Sequence, residues 1–322
     1  MKLLFLGKEH LQEVLDPLEL ADVIKEAYID YSKRLVANPP RTTVFLDNDW
    51  WGIMPALARG RGVSVKAVSI IPGNNARGLP TVNALVVLLD DKTGLPLAVI
   101  DGTILTAYRT AAGVLAVTKT LRGKVSCVGL IGTGFQGRHL ALFHAEKYTG
   151  AKRIVLYDRD KHKAESLAKH LKSMKLYDEI LVADNPGEAC RCDVLLLATT
   201  SSKPVIDCRW LGRDTLVISI GVTGPQGSEL DPCTVKKAVL VAVDSKEQCV
   251  EEVNDIRGAL PREEINEKVS EIGEVLGRAG DYKDLHGVVV FKSCGLAVQD
   301  LYAARYFYDK AMSRGIGLTI DM

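Results

Sequence analysis

The sequence has almost no net charge: 41 Lys and Arg stand against 40 Asp and Glu, a formal balance of +1. Nothing in that balance draws the chain to nucleic acid or to an anionic membrane surface. Long apolar runs are missing as well. Stretches such as Ala84–Leu89 and Ala238–Val243 suit strands and fall far short of the roughly 20 residues a membrane span needs. The opening MKLLFLGKEHL has only four apolar residues between charges, too few for a secretory signal, so a cytoplasmic chain is expected. There is no internal repeat and no low-complexity linker. Cysteine occurs seven times, at Cys127, Cys190, Cys192, Cys208, Cys233, Cys249 and Cys294. The number is odd, no C-x-x-C appears, and Cys190–Cys192 has no second pair at zinc spacing. Reduced thiols and no metal site are expected, with Cys294 the thiol nearest the candidate site.

What is present centres on Val125–Gly137, VSCVGLIGTGFQG. Its first half is apolar or small, as in a strand buried on both faces of a parallel sheet. Gly132, Gly134 and Gly137 then follow in the spacing G-x-G-x-x-G, and a helical pattern begins. Gly132 permits the tight turn, Gly134 lets the backbone approach a pyrophosphate, and Gly137 lets helix and strand pack closely. The pyrophosphate would sit on the free N–H groups at the helix start, beside Thr133. A second strand, Arg153–Tyr157, ends in Asp158, about 20 residues past the last glycine, where ribose hydroxyls are held. A carboxylate there favours NAD(H). Arg159, directly after it, could accept the 2′-phosphate of NADP(H), which stays the alternative.

With 322 residues the chain is long enough for two domains. Asp16-Pro17-Leu18-Glu19 reads as a helix start, and the helix runs to about Leu35 with Leu20, Ile24, Ala27, Tyr28 and Tyr31 as its apolar stripe. Five β segments follow, Arg41–Leu46, Trp51–Pro55, Val63–Ile70, Thr81–Leu89 and Leu97–Ile100, spaced as an antiparallel meander. A helix over Thr103–Leu121 leads into the glycine motif. After it, strands and helices alternate as in a doubly wound α/β sheet. Strand ends at Thr199-Thr200 and Gly221-Val222-Thr223 are polar or glycine-rich. Turn chemistry alone accounts for either, but two such ends in one Rossmann-like pattern favour nucleotide contact. The last strand, Gly287–Phe291, runs into Lys292-Ser293-Cys294 and a final helix. Three charges interrupt or open apolar segments: Arg41, Lys66 and Arg109. For each the plain alternative is a solvated side chain on an exposed face, as a half-exposed antiparallel sheet allows for Lys66. Around Arg109, however, Ala107, Thr110, Ala111, Ala112 and Gly113 are all small, which admits a ligand. Two arginines and a lysine on one pocket would suit a small carboxylate.

The ordered set Arg41, Met54–Ala56, Lys66, Gly78–Thr81, Arg109–Ala112, GTGFQG at Gly132–Gly137, Ile220–Pro225 and KSCGLAVQD at Lys292–Asp300 resembles the ornithine cyclodeaminase/mu-crystallin family over nearly the whole chain. The resemblance implies a homodimer. Residues 1–121 with 297–322 would form an α+β substrate and dimerisation domain around an antiparallel sheet, and 122–296 an NAD(P)-binding Rossmann domain. It implies that Arg41 and Arg109 hold the substrate carboxylate and that Lys66 polarises the substrate. Thr81, Thr110, Gln136, Asp158 and Ser293 would contact the cofactor, with Thr199, Thr200, Gly221, Val222 and Lys292 nearby.

Cyclodeaminases of this family carry acids where this chain has Gly52, Thr223 and Lys292. Losing all three removes the groups suited to an ornithine ammonium. The expected activity is therefore NAD(P)H-dependent reduction of cyclic imino acids such as pyrroline-2-carboxylate or piperideine-2-carboxylate, or a related amino-acid dehydrogenation. Lys66 is the candidate acid, with Thr223 orienting a water. The partner would be a small carboxylate-bearing imino, amino or keto acid. Ornithine cyclodeaminase, alanine dehydrogenase and a dinucleotide-dependent binding protein with little turnover are the competing readings.

Overall fold

The computed structural model describes residues 2–47, 49–221, 227–282 and 285–321. They cluster into two compact units, Met1–Ala112 with Gly295–Met322, and Gly113–Cys294.

The first unit is built on a seven-stranded sheet. Its strands are β1 (Lys2–Leu6), β2 (Thr42–Leu46), β3 (Asp49–Ala58), β4 (Gly62–Ile70), β5 (Val82–Leu89), β6 (Pro96–Asp101) and, at the chain's end, β15 (Leu318–Asp321). β2 to β6 form the antiparallel meander that their alternation predicts. β1 adds parallel to β6 and β15 antiparallel to β1, giving the order β15-β1-β6-β5-β4-β3-β2. Neither terminal strand is apparent in the sequence. Leu4 and Leu6 of β1 are buried, but the run is too short to show a period, and every residue of β15 is exposed.

The helix Pro17–Ser32 starts where Asp16 accepts the N–H groups of Leu18 and Glu19 at 2.9 and 3.1 Å, as its cap sequence implies. It buries the expected stripe and packs on the helix Ala297–Arg314. That second helix lies across β3, β4 and β5.

The second unit holds an eight-stranded, all-parallel sheet. Its strands are β7 (Cys127–Ile131), β8 (Arg153–Tyr157), β9 (Glu179–Val182), β10 (Val194–Leu197), β11 (Leu216–Ser219), β12 (Leu240–Val243), β13 (Val269–Glu271) and β14 (Val289–Lys292). Their order is β13-β12-β14-β11-β10-β7-β8-β9. β10, β11, β12 and β14 are buried at every residue, as a sheet covered on both faces demands. Strand order reverses between β7 and β10, so the crevice at the carboxyl ends of those two strands is the topological switch point at which such sheets bind ligands.

The cysteines depart from expectation. Cys127 is bonded to Cys192 and Cys208 to Cys233, while Cys190, Cys249 and Cys294 remain buried thiols. Residue counting misses the pairs because the contacts are made in space. Cys127 opens β7, and Cys192 lies two residues ahead of β10, the strand paired with it. Among the described residues, no helix is long and apolar enough to cross a membrane.

Candidate active site

Three cations of the first unit converge. Lys66 faces the buried side of β4, which carries it there by simple alternation with Ser64 and Val68. Arg109 sits on the helix Gly102–Arg122 and is 5% exposed. Arg41 precedes β2; because Thr42 pairs with Ile53, Arg41 comes level with Met54, which in turn faces Lys66. The Arg41 Nη2 donates to the Gly295 carbonyl at 3.1 Å. Gly295 has φ +82°, which favours glycine, and a Cβ on it would press on the Arg109 Nη2 and Nη1 at 3.1 and 3.2 Å.

Asp300, a residue to which the sequence reading gave no role, ties this group together. The Lys66 Nζ lies 2.6 Å from its Oδ2, and the Arg109 Nε donates to its Oδ1 at 3.0 Å. Its neighbour Gln299 accepts from the Arg109 Nη1 and donates to the Tyr28 hydroxyl, at 3.0 and 2.8 Å. The helical step between Gln299 and Asp300 thus locks the guanidinium plane from two sides. No periodicity signals this, because both residues sit in an amphipathic helix where polar side chains are ordinary.

Burial pushes the Lys66 ammonium down to about 8. The charge of Asp300 opposes that, and Arg109 and Arg41 add to the lowering. Three cations against one carboxylate leave a surplus of positive charge in a buried place, the requirement for holding an anion. Thr110, the next residue on Arg109's helix, is buried, and Thr81 lies half-buried just ahead of β5.

The expected dinucleotide residues gather in the second unit at the carboxyl ends of the parallel strands. Gly132 adopts φ +93°, and a Cβ on it would stand 2.5 Å from the Ala198 carbonyl oxygen. A Cβ on Gly137 would stand 2.0 Å from the Gly132 oxygen, so the close helix–strand contact requires glycine there. Gly134 caps the nine-residue helix Phe135–Phe143 with no side chain bonded to its first N–H groups and open space around it. The buried Oε1 of Gln136 has no hydrogen-bond partner among the described residues. The open, positively polarised helix start fits a pyrophosphate, and the acceptor beside it fits a donor such as a ribose hydroxyl of the same dinucleotide. Asp158 accepts from the Thr133 N–H and hydroxyl at 2.8 and 3.0 Å, which pins the glycine turn to the end of β8. Arg159 beside it is exposed.

Other expected contacts are placed differently. Lys292 points into the interior and is fully buried. Its Nζ lies 3.0 Å from the Asp255 Oδ2, 2.9 Å from the Ser219 hydroxyl and 3.8 Å from the Glu229 Oε2. Burial alone would lower this ammonium, but Glu229 and Asp255 outweigh it and hold it raised. Glu229 in turn accepts from the Thr199 N–H, the Ser219 hydroxyl and the Gly221 N–H. Lys292 therefore braces the two strand ends carrying Thr199 and Gly221 from behind. Ser293 donates to Asp244 at 2.8 Å, and Thr200 is exposed. Val222 and Thr223 lie outside the described residues.

Residues 2–315 match the ornithine cyclodeaminase/mu-crystallin family. The chain is 32% identical to an alanine dehydrogenase of Archaeoglobus fulgidus over 99% of its own length and 98% of the relative's. It is 32% identical to a delta(1)-pyrroline-2-carboxylate reductase of Bacillus cereus over 91% of each. Among solved structures, the delta(1)-pyrroline-2-carboxylate reductase of Thermococcus litoralis, in complex with NADH and L-proline, superposes with a TM-score of 0.90 at 31% identity, covering 99% of this chain and 100% of that one. The chain belongs to the ornithine cyclodeaminase/mu-crystallin family.

Proposed function

We propose that the protein is an NAD(H)-dependent reductase of small cyclic imino acids, of the pyrroline-2-carboxylate type, acting as a cytoplasmic homodimer. The observation that carries this reading is the convergence of Arg41, Lys66 and Arg109 on Gly295 and Asp300. Arg41 and Arg109 grip the substrate carboxylate through paired donors. That fixes the neighbouring C=N carbon, a positioning gain of several kcal/mol. Lys66 gives its proton to the imine nitrogen, which makes the carbon a better hydride acceptor; an ammonium at about 8 is mostly charged at neutral pH and still a competent acid. Asp300 orients Lys66 and Arg109 together. The dinucleotide, when bound, supplies the hydride. Gly132, Gly134 and Gly137 would hold its pyrophosphate, Asp158 its ribose, and the strand ends at Thr199 and Gly221, both bonded to Glu229, its far end. Dimerisation would cover the exposed apolar side chains of β2 and β3, among them Val44, Phe45, Leu46 and Ile53.

The test is NADH and NADPH oxidation with pyrroline-2-carboxylate, with piperideine-2-carboxylate and with pyruvate plus ammonia, alongside ammonia release from ornithine. Rapid NADH-dependent reduction of the cyclic imines without ornithine turnover is expected. Ammonia release from ornithine as the dominant activity would overturn the reading.

A further inference from the structure

The sheet face that carries Lys66 continues past it. On β3, alternation puts Trp50, Gly52, Met54 and Ala56 on that face and turns Trp51 and Ile53 to the other side, where they are 49% and 45% exposed. The register sets Met54 opposite Lys66 and Gly52 opposite Val68. Val68 is one same-face step beyond Lys66, roughly 7 Å along the strand.

Gly52 has its side-chain space already filled. A Cβ there would lie 2.4, 2.9 and 3.1 Å from the Cη2, Cζ2 and Cζ3 of Trp50. The outer edge of the indole's six-membered ring therefore covers Gly52, whose register partner is Val68, one same-face step from Lys66. The helix Ala297–Arg314 packs on this sheet. It holds Lys66 through Asp300, and two residues later Tyr302 stacks under the Arg61 guanidinium at 4.8 Å, at the turn between β3 and β4. The helix thus runs from Lys66 toward that turn, away from Gly52. One side of Lys66 is occupied by Asp300 and Arg109, and the other is neighboured by Val68, buried at 8% exposure, and then by the half-buried indole of Trp50.

We propose that Trp50, given room by Gly52, is a specificity-determining residue: its indole is the wall on which the carbon skeleton of the substrate packs, selecting compact imino acids whose ring or side chain is apolar. The inference rests on the reading given under Proposed function, because the arginines orient the substrate so that its skeleton leaves the carboxylate toward Val68 and Trp50. A flat apolar ring matches the methylenes of a five- or six-membered cyclic imine and offers nothing to an ammonium except the weaker pull of a ring face.

The experiment compares the wild type with Trp50→Ala and Trp50→Phe. It measures kcat and KM for pyrroline-2-carboxylate and for pyruvate plus ammonia, together with NADH affinity by fluorescence. Trp50→Ala is expected to lose at least tenfold in kcat/KM for the cyclic imine, mostly in KM. Pyruvate plus ammonia, whose skeleton ends in one methyl group, should change less than about threefold, and Trp50→Phe should recover most of the loss. NADH affinity should stay unchanged. Equal losses on both substrates, or no loss on either, overturn the proposal. Should Trp50→Ala fail to fold, Gly52→Ala poses the same question, because its methyl group must displace the outer edge of the indole; the same substrate ordering is expected. A wild type that reduces neither substrate would overturn the reading of the function itself, an outcome distinct from a wild type that reduces both with a variant that does not discriminate.

Discussion

Asp300→Asn isolates the electrostatic role of the carboxylate that holds Lys66. The substitution keeps the shape and removes one charge whose Oδ2 lies 2.6 Å from the Lys66 Nζ. Burial and the two arginines lower the Lys66 ammonium, and Asp300 is the group that opposes them. If Lys66 donates the proton, kcat/KM for the cyclic imine is flat below about pH 8 and falls tenfold per pH unit above it. Two unit charges about 4 Å apart interact by about 4 kcal/mol at an effective dielectric of 20. At about 1.4 kcal/mol per pH unit, that sets about three units as the upper bound. The asparagine oxygen still accepts a hydrogen bond, so the falling limb should move to lower pH by one to three units.

The assay is initial rate against pH at saturating NADH, from about pH 5 to pH 10, with NADH affinity followed in parallel. Ionisation of the free imine is common to both enzymes, so the difference between their profiles reports the protein. A limb that stays where it was, or moves to higher pH, would refute Lys66 as the proton donor under the control of Asp300. A uniform drop at all pH values would instead assign Asp300 to orienting Arg109 alone.

Other consequences follow from the same geometry. Lys66 has a depressed pKa, so its charged form costs the fold below about pH 8, and the cost is relieved as pH rises toward the ordinary lysine value of 10.5. Lys66→Met should therefore raise the melting temperature at pH 7 while turnover falls at least a hundredfold; a lower melting temperature with full NADH binding would refute that sign. Lys292→Met leaves Glu229 and Asp255 buried without their cation, and should cost about 3 to 5 kcal/mol in urea unfolding and weaken NADH binding; an unchanged midpoint would dismiss the bracing role. Asp158→Ser removes the carboxylate that repels a 2′-phosphate and leaves Arg159 next to it, so the ratio of kcat/KM for NADPH over NADH should rise at least tenfold. A ratio that does not move would remove Asp158 from cofactor choice.

What the sequence reveals follows from how each signal is carried. The glycine motif is local: strand, turn and helix lie within one stretch, and each glycine meets a constraint made by its near neighbours or by the next strand, as with Gly132 against Ala198. Lys66 stands out because a charge in the middle of an apolar strand is an anomaly in a period-two pattern. Asp300 does not, because a carboxylate on an amphipathic helix is the commonest thing there, and only the packing of that helix on β4 shows that it faces inward. Lys292 misleads for the converse reason. A lysine ending a buried strand beside Ser293 suggests a ligand, yet its partners, Glu229 and Asp255, lie far back in the chain and become visible only when β11 and β14 pair. The two disulfides and the two terminal strands are lost to the same cause, since each is a contact between segments with no local pattern of their own.

The charge arrangement also separates reduction of an imino acid from chemistry on a diamino acid. A substrate with a side-chain ammonium needs an unspent carboxylate to receive it. Asp300, the acid that meets the site's cations, is already shared by Lys66 and Arg109. Gly52 has no side chain, and the volume beside it holds the Trp50 ring. An ammonium brought within about 6 Å of any one of the three cations would meet roughly 2 to 3 kcal/mol of repulsion at an effective dielectric of 20. A carboxylate brought to the same place gains by a similar amount from each. The described residues therefore favour a substrate whose only full charge is its carboxylate. A cyclic imino acid meets that condition while its nitrogen is unprotonated, taking the proton only in the act of reduction, and ornithine, whose two amines are charged at neutral pH, does not.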